Sequence, residues 1–150
     1  MLIRLSSKPS SQPGASAQWL KRALLSKEWL PFSSIDHVQL AMPEGREDRA
    51  RRFYVSVLGM SELRKPPELL SRGGVWFQSG EVFLHLGVEA EFRAAKKAHP
   101  AFRCCDYDAL LQRLQSHEIV ISIEKDLIER SRHCYVADPF GNRLELIEDD

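Results

Sequence analysis

The chain is short of sulfur, with three cysteines, Cys104, Cys105 and Cys134, in 150 residues. An odd count that includes an adjacent pair does not build the disulfide framework of a small secreted scaffold, so a reducing compartment is expected. An excess of one charge is missing too. Lys plus Arg number 21 and Asp plus Glu number 21, giving a formal net charge of zero. Without a global basic footprint there is no ground for expecting nucleic acid as a partner. No uninterrupted apolar run approaches the roughly 18 residues of a membrane span, so no membrane partner is expected either. What is present is 43% apolar residues, enough for a packed core in one domain or in two very small modules that share it.

Residues 1–33 differ from the rest and read as an N-terminal extension. Ser6–Ser16 is rich in Ser, Pro and Gly, the composition of a loop. Ala17–Trp29 carries Trp19, Leu20, Ala23 and Leu24 at helical spacing and predicts a short amphipathic helix. Arg4, Lys8, Lys21, Arg22 and Lys27 all precede the first acid, Glu28. The extension is read as packing on the domain or on a partner, in a cytoplasmic protein. Organelle targeting through residues 1–30 is the alternative that its basic composition leaves open.

The globular part, residues 34–150, reads as βαβββ, a linker, and βαβββ again, an α+β fold. Ile35–Met42 alternates like a strand, and Pro43-Glu44-Gly45 turns the chain. Glu47–Leu58 puts Ala50, Phe53, Tyr54 and Val57 on one face of a helix that Gly59 stops. Met60–Arg64, Gly74–Gln78 and Val82–Gly87 read as strands, the last two joined by a Ser79-Gly80 hairpin turn. Module one spans 34–88, a polar linker 89–98, and module two 99–150. In module two Pro100–Cys104 is a strand, and Asp106 caps a helix reaching about His117. Ile119–Glu124, His133–Ala137 and Arg143–Glu148 are further strands. The turn Asp138-Pro-Phe-Gly-Asn142 separates the last two.

Registering one half on the other pairs four side chains. His99 opens the first strand of module two, 62 residues after His37 on that of module one. Glu145, on the last strand of module two, follows His85 on that of module one by 60. Strand parity agrees. Val38 and Leu40 oppose His37 and Gln39; Leu84 and Leu86 oppose Phe83 and His85; Leu144 and Leu146 oppose Arg143 and Glu145. The aliphatic parity is expected to face the helices, and the other to line the concave face of a curved sheet. Taken singly, each is more readily a solvated or hydrogen-bonded strand residue than a ligand; their joint placement is what points to a metal. Three imidazoles and a carboxylate suit Zn, Ni, Co, Mn or Fe(II). His37, His99 and Glu145 alone make a two-His-one-carboxylate set that leaves positions for substrate oxygens. His117 and His133 have no such partner and are read as structural or solvent-facing.

Ile-Asp-His37-Val-Gln-Leu-Ala, Ala50-Arg-Arg-Phe-Tyr54-Val-Ser-Val-Leu-Gly59 and Asp138-Pro-Phe-Gly-Asn-Arg-Leu-Glu145 resemble the opening strand, first helix and closing hairpin of the vicinal-oxygen-chelate superfamily. That group includes glyoxalases, fosfomycin-resistance enzymes, extradiol dioxygenases and bleomycin-binding proteins. The resemblance covers about residues 35–148. It implies paired βαβββ modules forming a cup-shaped mixed sheet around a divalent metal held at the positions of His37, His99 and Glu145. Glyoxalase I places a fourth ligand, usually Glu, where this chain has His85, and that departure counts against a literal glyoxalase I. The stretch from His85-Leu-Gly-Val-Glu to Lys97-Ala-His99-Pro-Ala is similar to a subgroup of bacterial glyoxalase-like proteins.

The resemblance implies a metal acting as a Lewis acid on vicinal substrate oxygens. His85 is then a fourth ligand or the acid–base group beside the metal. Lys65, Arg72, Arg93, Lys97 and Arg103 suggest recognition of an anionic group, though an ordinary solvated loop accounts for most of them. Arg103 shares the parity of His99 and is the exception. Gln39, Trp76 and Phe83 complete the expected substrate wall, with plain packing as the alternative for the two aromatics. Cys104, on the core parity, reads as a small buried apolar residue. Two functions stay open: a metalloenzyme of glyoxalase or dioxygenase type, and a metal-free protein that sequesters a small molecule. A third places the activity in partner binding by the N-terminal helix. A homodimer is expected, because exposed sheet edges call for joining.

Overall fold

The computed structural model describes residues 32–123 and 132–149. The loop and helix expected over residues 6–29 lie outside the described residues, as does Glu124. The chain divides into two units, Met1–Ile35 and Asp36–Asp150, and all the described strands and helices belong to the second.

In module one the order is β1 (Val38–Met42), α1 (Glu47–Arg51), β2 (Ser61–Leu63), β3 (Val75–Ser79) and β4 (Val82–Val88). Module two follows with β5 (Ala101–Cys104), α2 (Tyr107–Ser116), β6 (His133–Ala137) and β7 (Arg143–Glu148). Glu47 and Asp48 in the first turn of α1 suit the positive end of its dipole. Asp106 caps α2 by accepting from the Ala109 amide at 3.0 Å.

Three sequence expectations change. Glu47–Leu58 is not one α-helix: after Arg51 it widens to a π-helix over Arg52–Val57, and Leu58 N donates to Phe53 O at 2.9 Å, five residues back. Apolar spacings of three and four residues fit either winding, so the pattern did not separate them. Pro67–Arg72, unassigned from sequence, is a 3₁₀ helix. The strand expected over Ile119–Glu124 is reduced to one isolated bridge, Ser122 to Tyr135. Val120 and Ile123 there are 83% and 76% exposed. β-Branched residues supply propensity, but a strand also needs a ladder and a face to bury.

Each module builds its own mixed sheet, in the order β1-β4-β3-β2 and β5-β7-β6. In both, the first strand runs parallel to the last, with the last antiparallel to the one before it. The strand parity holds: Leu84, Leu86, Leu144 and Leu146 are buried. They join Tyr54, Phe77, Leu114 and Cys134 in a core that both modules share. Cys104, expected to be buried, is only half-buried; Cys134 is the buried thiol.

Polar contacts cross between the modules. Tyr54 Oη donates to Asp138 Oδ2 at 2.9 Å, and Asn142 Nδ2 donates to Ala41 O at 2.8 Å. Arg113 on α2 donates to the carbonyls of Val57 and Ser56, at 2.6 and 2.7 Å, beyond the end of α1. Asp138 Oδ1 also accepts from the Phe140 and Asn142 amides, so this buried carboxylate is fully satisfied. No described helix is long and apolar enough to cross a membrane.

Candidate metal centre

The parallel ladders place the four sequence-predicted ligands. Gln39 on β1 is opposite His85 on β4, and Ala101 on β5 is opposite Glu145 on β7. His37 and His99 each lie two residues before the strand residue of those pairs. The repeat read from spacing is thus a repeat of register.

In module one, His37 and His85 stack with ring centroids 4.1 Å apart. Trp76, opposite His85 in the β3–β4 ladder, stacks on its other face at 4.1 Å and 9°. Burial lowers the pKa of His85, and neighbouring His37 lowers it further, against the opposite pull of Asp36. His85 therefore favours the neutral, proton-accepting form. The Nδ1 of His37 lies 2.7 Å from Asp36 Oδ2. A carboxylate has no proton to give, so Nδ1 donates, and Nε2 is the nitrogen left to take another partner.

In module two, His99 Nδ1 lies 2.6 Å from the Lys97 carbonyl. A carbonyl only accepts, so Nδ1–H again donates. His99 Nε2 lies 3.2 Å from Glu145 Oε2. Two lone pairs at that distance repel unless a proton or a cation lies between them. Donors held about 2.0–2.2 Å from one ion lie about 2.8–3.6 Å apart at octahedral or tetrahedral angles, and the His99–Glu145 spacing falls in that span. His99 and Glu145 are therefore spaced as two donors to one divalent ion would be.

The structure makes two pairs, His37 with His85 and His99 with Glu145. Among the described residues no group of three or more His, Cys, Asp or Glu side chains is arranged to hold a metal ion, so the four do not form one ligand set within this chain.

The family model for the Glyoxalase/Bleomycin resistance protein/Dioxygenase superfamily matches residues 34–146. The chain belongs to this superfamily. A glyoxalase-family protein from Bacillus anthracis is 44% identical, with a TM-score of 0.76 over 79% of this chain and 97% of that one. Lactoylglutathione lyase from Agrobacterium tumefaciens is 26% identical, with a TM-score of 0.61 over 79% and 95%. TnmS3, an antibiotic-binding protein from Streptomyces sp. CB03234, is 22% identical, with a TM-score of 0.60 over 79% and 100%; that likeness is one of fold. None of the curated proteins matches in sequence.

Within this superfamily fold the expected substrate residues are placed as follows. Gln39 and Trp76 flank His85 in the register. Gly87 beside them has no Cβ, and one built there would meet Gln39 Nε2 at 3.0 Å, so the glycine lets the amide lie across the sheet. Phe83 shares the parity of His85 and pairs with Gln78. Arg103 is exposed and ion-paired to Asp149 at 3.3 Å. Sequence reasoning missed Asp36, the Lys97 carbonyl and Tyr135. Tyr135 is opposite Glu145 and sets its ring edge-on to His99 at 5.5 Å. The Asp138–Asn142 turn fixes that hairpin register and was the available signal.

Proposed function

We propose that this chain is a divalent-metal-dependent enzyme of the vicinal-oxygen-chelate type, acting as a lyase or dioxygenase on a small oxygen-chelating substrate. One observation carries the reading: His37 and His99, related by the repeat, both commit Nδ1–H to an oxygen acceptor, which leaves Nε2 as the nitrogen that can take a metal, that of His99 beside Glu145. That second-sphere bond is the usual companion of metal-binding histidine, fixing its tautomer and orientation. His37, His99 and Glu145 would hold the ion, with His85 as fourth ligand or proton acceptor. The ion, when bound, supplies Lewis-acid stabilisation of developing charge on substrate oxygen.

The chain's own residues do the rest. The stack between Trp76 and His37 fixes the plane of His85, and burial favours its neutral form, so it can take a proton from a nearby substrate. Gln39 and Phe83 border that position, and Arg103 suits an anionic group on the substrate. Because the two ligand pairs do not meet within one chain, a homodimer that joins the modules of two subunits supplies the complete set. β1 and β5 are edge strands whose outer backbone groups are available for such joining.

Calorimetric titration of Zn, Ni, Mn and Fe(II) tests the reading. Wild-type protein is expected to bind at least one of them. Glu145→Gln removes the only anionic donor and should weaken binding by roughly tenfold or more. No binding to wild type by any of the four would remove the enzyme reading. The metal-free sequestering alternative would then lead. It has an observation of its own, since the Trp76–His85–His37 stack is an aromatic surface on which a planar molecule can lie.

A further inference from the structure

A second concavity lies away from the paired ligands. It is a cavity of 340 Å³ between the helical segment of module one and the β6–β7 turn of module two. Phe53, Val57, Ile119 and Pro139 give it an apolar floor, Ala137 and Asp138 complete the wall, and Arg49 and Arg52 stand at its rim. None of His37, His85, His99 or Glu145 lines it.

Two features make this more than a packing gap. Arg49 and Arg52 are three residues apart on one helical run, a spacing that puts both guanidinium groups on the same face. The ion pairs among the described residues use other cations, and neither arginine has a carboxylate partner there. Arg49 instead lies 6.0 Å over the Phe140 ring. The one acid in the wall, Asp138, has both oxygens engaged by Tyr54, Asn142 and two backbone amides; it keeps its charge, but two guanidinium groups outnumber it. The second feature is the backbone. Arg52, Phe53 and Val57 all belong to the π-helical run, a winding that is uncommon and recurs at functional sites.

We propose that this cavity is a second binding site, taking a small amphiphile whose single carboxylate is held by Arg49 and Arg52 and whose apolar body lies on Phe53, Val57, Ile119 and Pro139. A guanidinium fork matches a carboxylate in geometry as well as charge. The volume sits at the low end of ligand pockets, about 300–1,000 Å³, so the occupant is small. An apolar floor under a cationic rim selects a molecule with a tail over a bare anion.

The probe is octanoate, followed by amide chemical shifts of the full chain. With about ten heavy atoms it should bind with a Kd on the order of 1 mM and move the Phe53, Val57 and Ile119 amides. The double variant Arg49→Gln/Arg52→Gln should bind roughly tenfold more weakly or worse. Both side chains are exposed, so the variant should keep its fold, which unshifted amides elsewhere would verify. His37→Ala should bind octanoate as wild type does, and this separates the cavity from the metal reading. Any of four results overturns the proposal: no shift at those amides, undiminished binding by the double variant, equal binding of 1-octanol, or equal binding of inorganic phosphate. Loss of octanoate binding in His37→Ala would overturn its independence from the paired ligands.

Discussion

Single protons decide much of the chemistry at the residue scale. Asp36 and the Lys97 carbonyl each fix which nitrogen of a histidine is available, and neither signals itself in a sequence. The register of His37, His85, His99 and Glu145 was legible, because spacing and strand parity are linear properties. The tautomers were not, because they depend on which oxygen lies opposite Nδ1 in space. Tyr54 gives a proton-linked test of the contact between modules. Burial, with the Asp138 charge beside it, holds its phenol well above the ordinary value of 10.0. The folded state therefore keeps a proton that the unfolded state gives up above about pH 10. Stability from this group is full below that value and is lost as pH rises above it. Tyr54→Phe should cost about 1.5–3 kcal/mol at neutral pH, since Asp138 loses a donor. Urea denaturation at about pH 7 and pH 11 should show the deficit shrinking at the higher pH; a deficit that stays constant would contradict the shift.

At the scale of elements, alternation located β4 and β7 correctly and carried the placement of His85 and Glu145 with it. The hairpin turn falls on Gly80-Glu81, one residue later than the Ser79-Gly80 read from sequence, since Ser79 still pairs with Val82; it sets the β3–β4 register, and with it the Trp76–His85 stack. Helix winding and the missing strand after α2 were illegible for a shared reason. Both depend on which neighbour the segment meets, and hydrophobic spacing does not encode that. One glycine is decisive for the β3–β4 hairpin. Gly74 has φ of +78°, and a Cβ there would sit 2.2 Å from the Leu86 carbonyl oxygen on β4. Gly74→Ala should destabilise the protein by about 2–4 kcal/mol through strain and backbone clash. Gly80 also has positive φ but faces open space, so Gly80→Ala should cost only about 1–2 kcal/mol. Thermal midpoints compare the two, and equal losses would show that the Leu86 contact is relieved elsewhere.

For the whole molecule, the pattern of two modules was legible and their joining was not. A repeat predicts two similar sheets; it does not say whether their ligands meet within one chain or between two. Zero net charge leaves little long-range repulsion between copies, and among the described residues each sheet ends on a first strand paired on one side only. Sedimentation at micromolar concentration is expected to show a dimer. A monomer that still binds metal at wild-type affinity would place the complete ligand set in one chain and refute the shared centre.

The parallel ladders also order events in time. Gln39 and His85 are 46 residues apart, and Ala101 and Glu145 are 44 apart, so each ladder closes over nearly a whole module. The β3–β4 hairpin, joined by a short turn, can form in about 1–10 μs, while the first strand waits for a long loop to close. On a nascent chain growing at about 5–20 residues per second, His37 precedes His85 by roughly 2–9 s. Each candidate ligand pair is thus a late product of folding, and a metal ion meets it only after the module around it has closed.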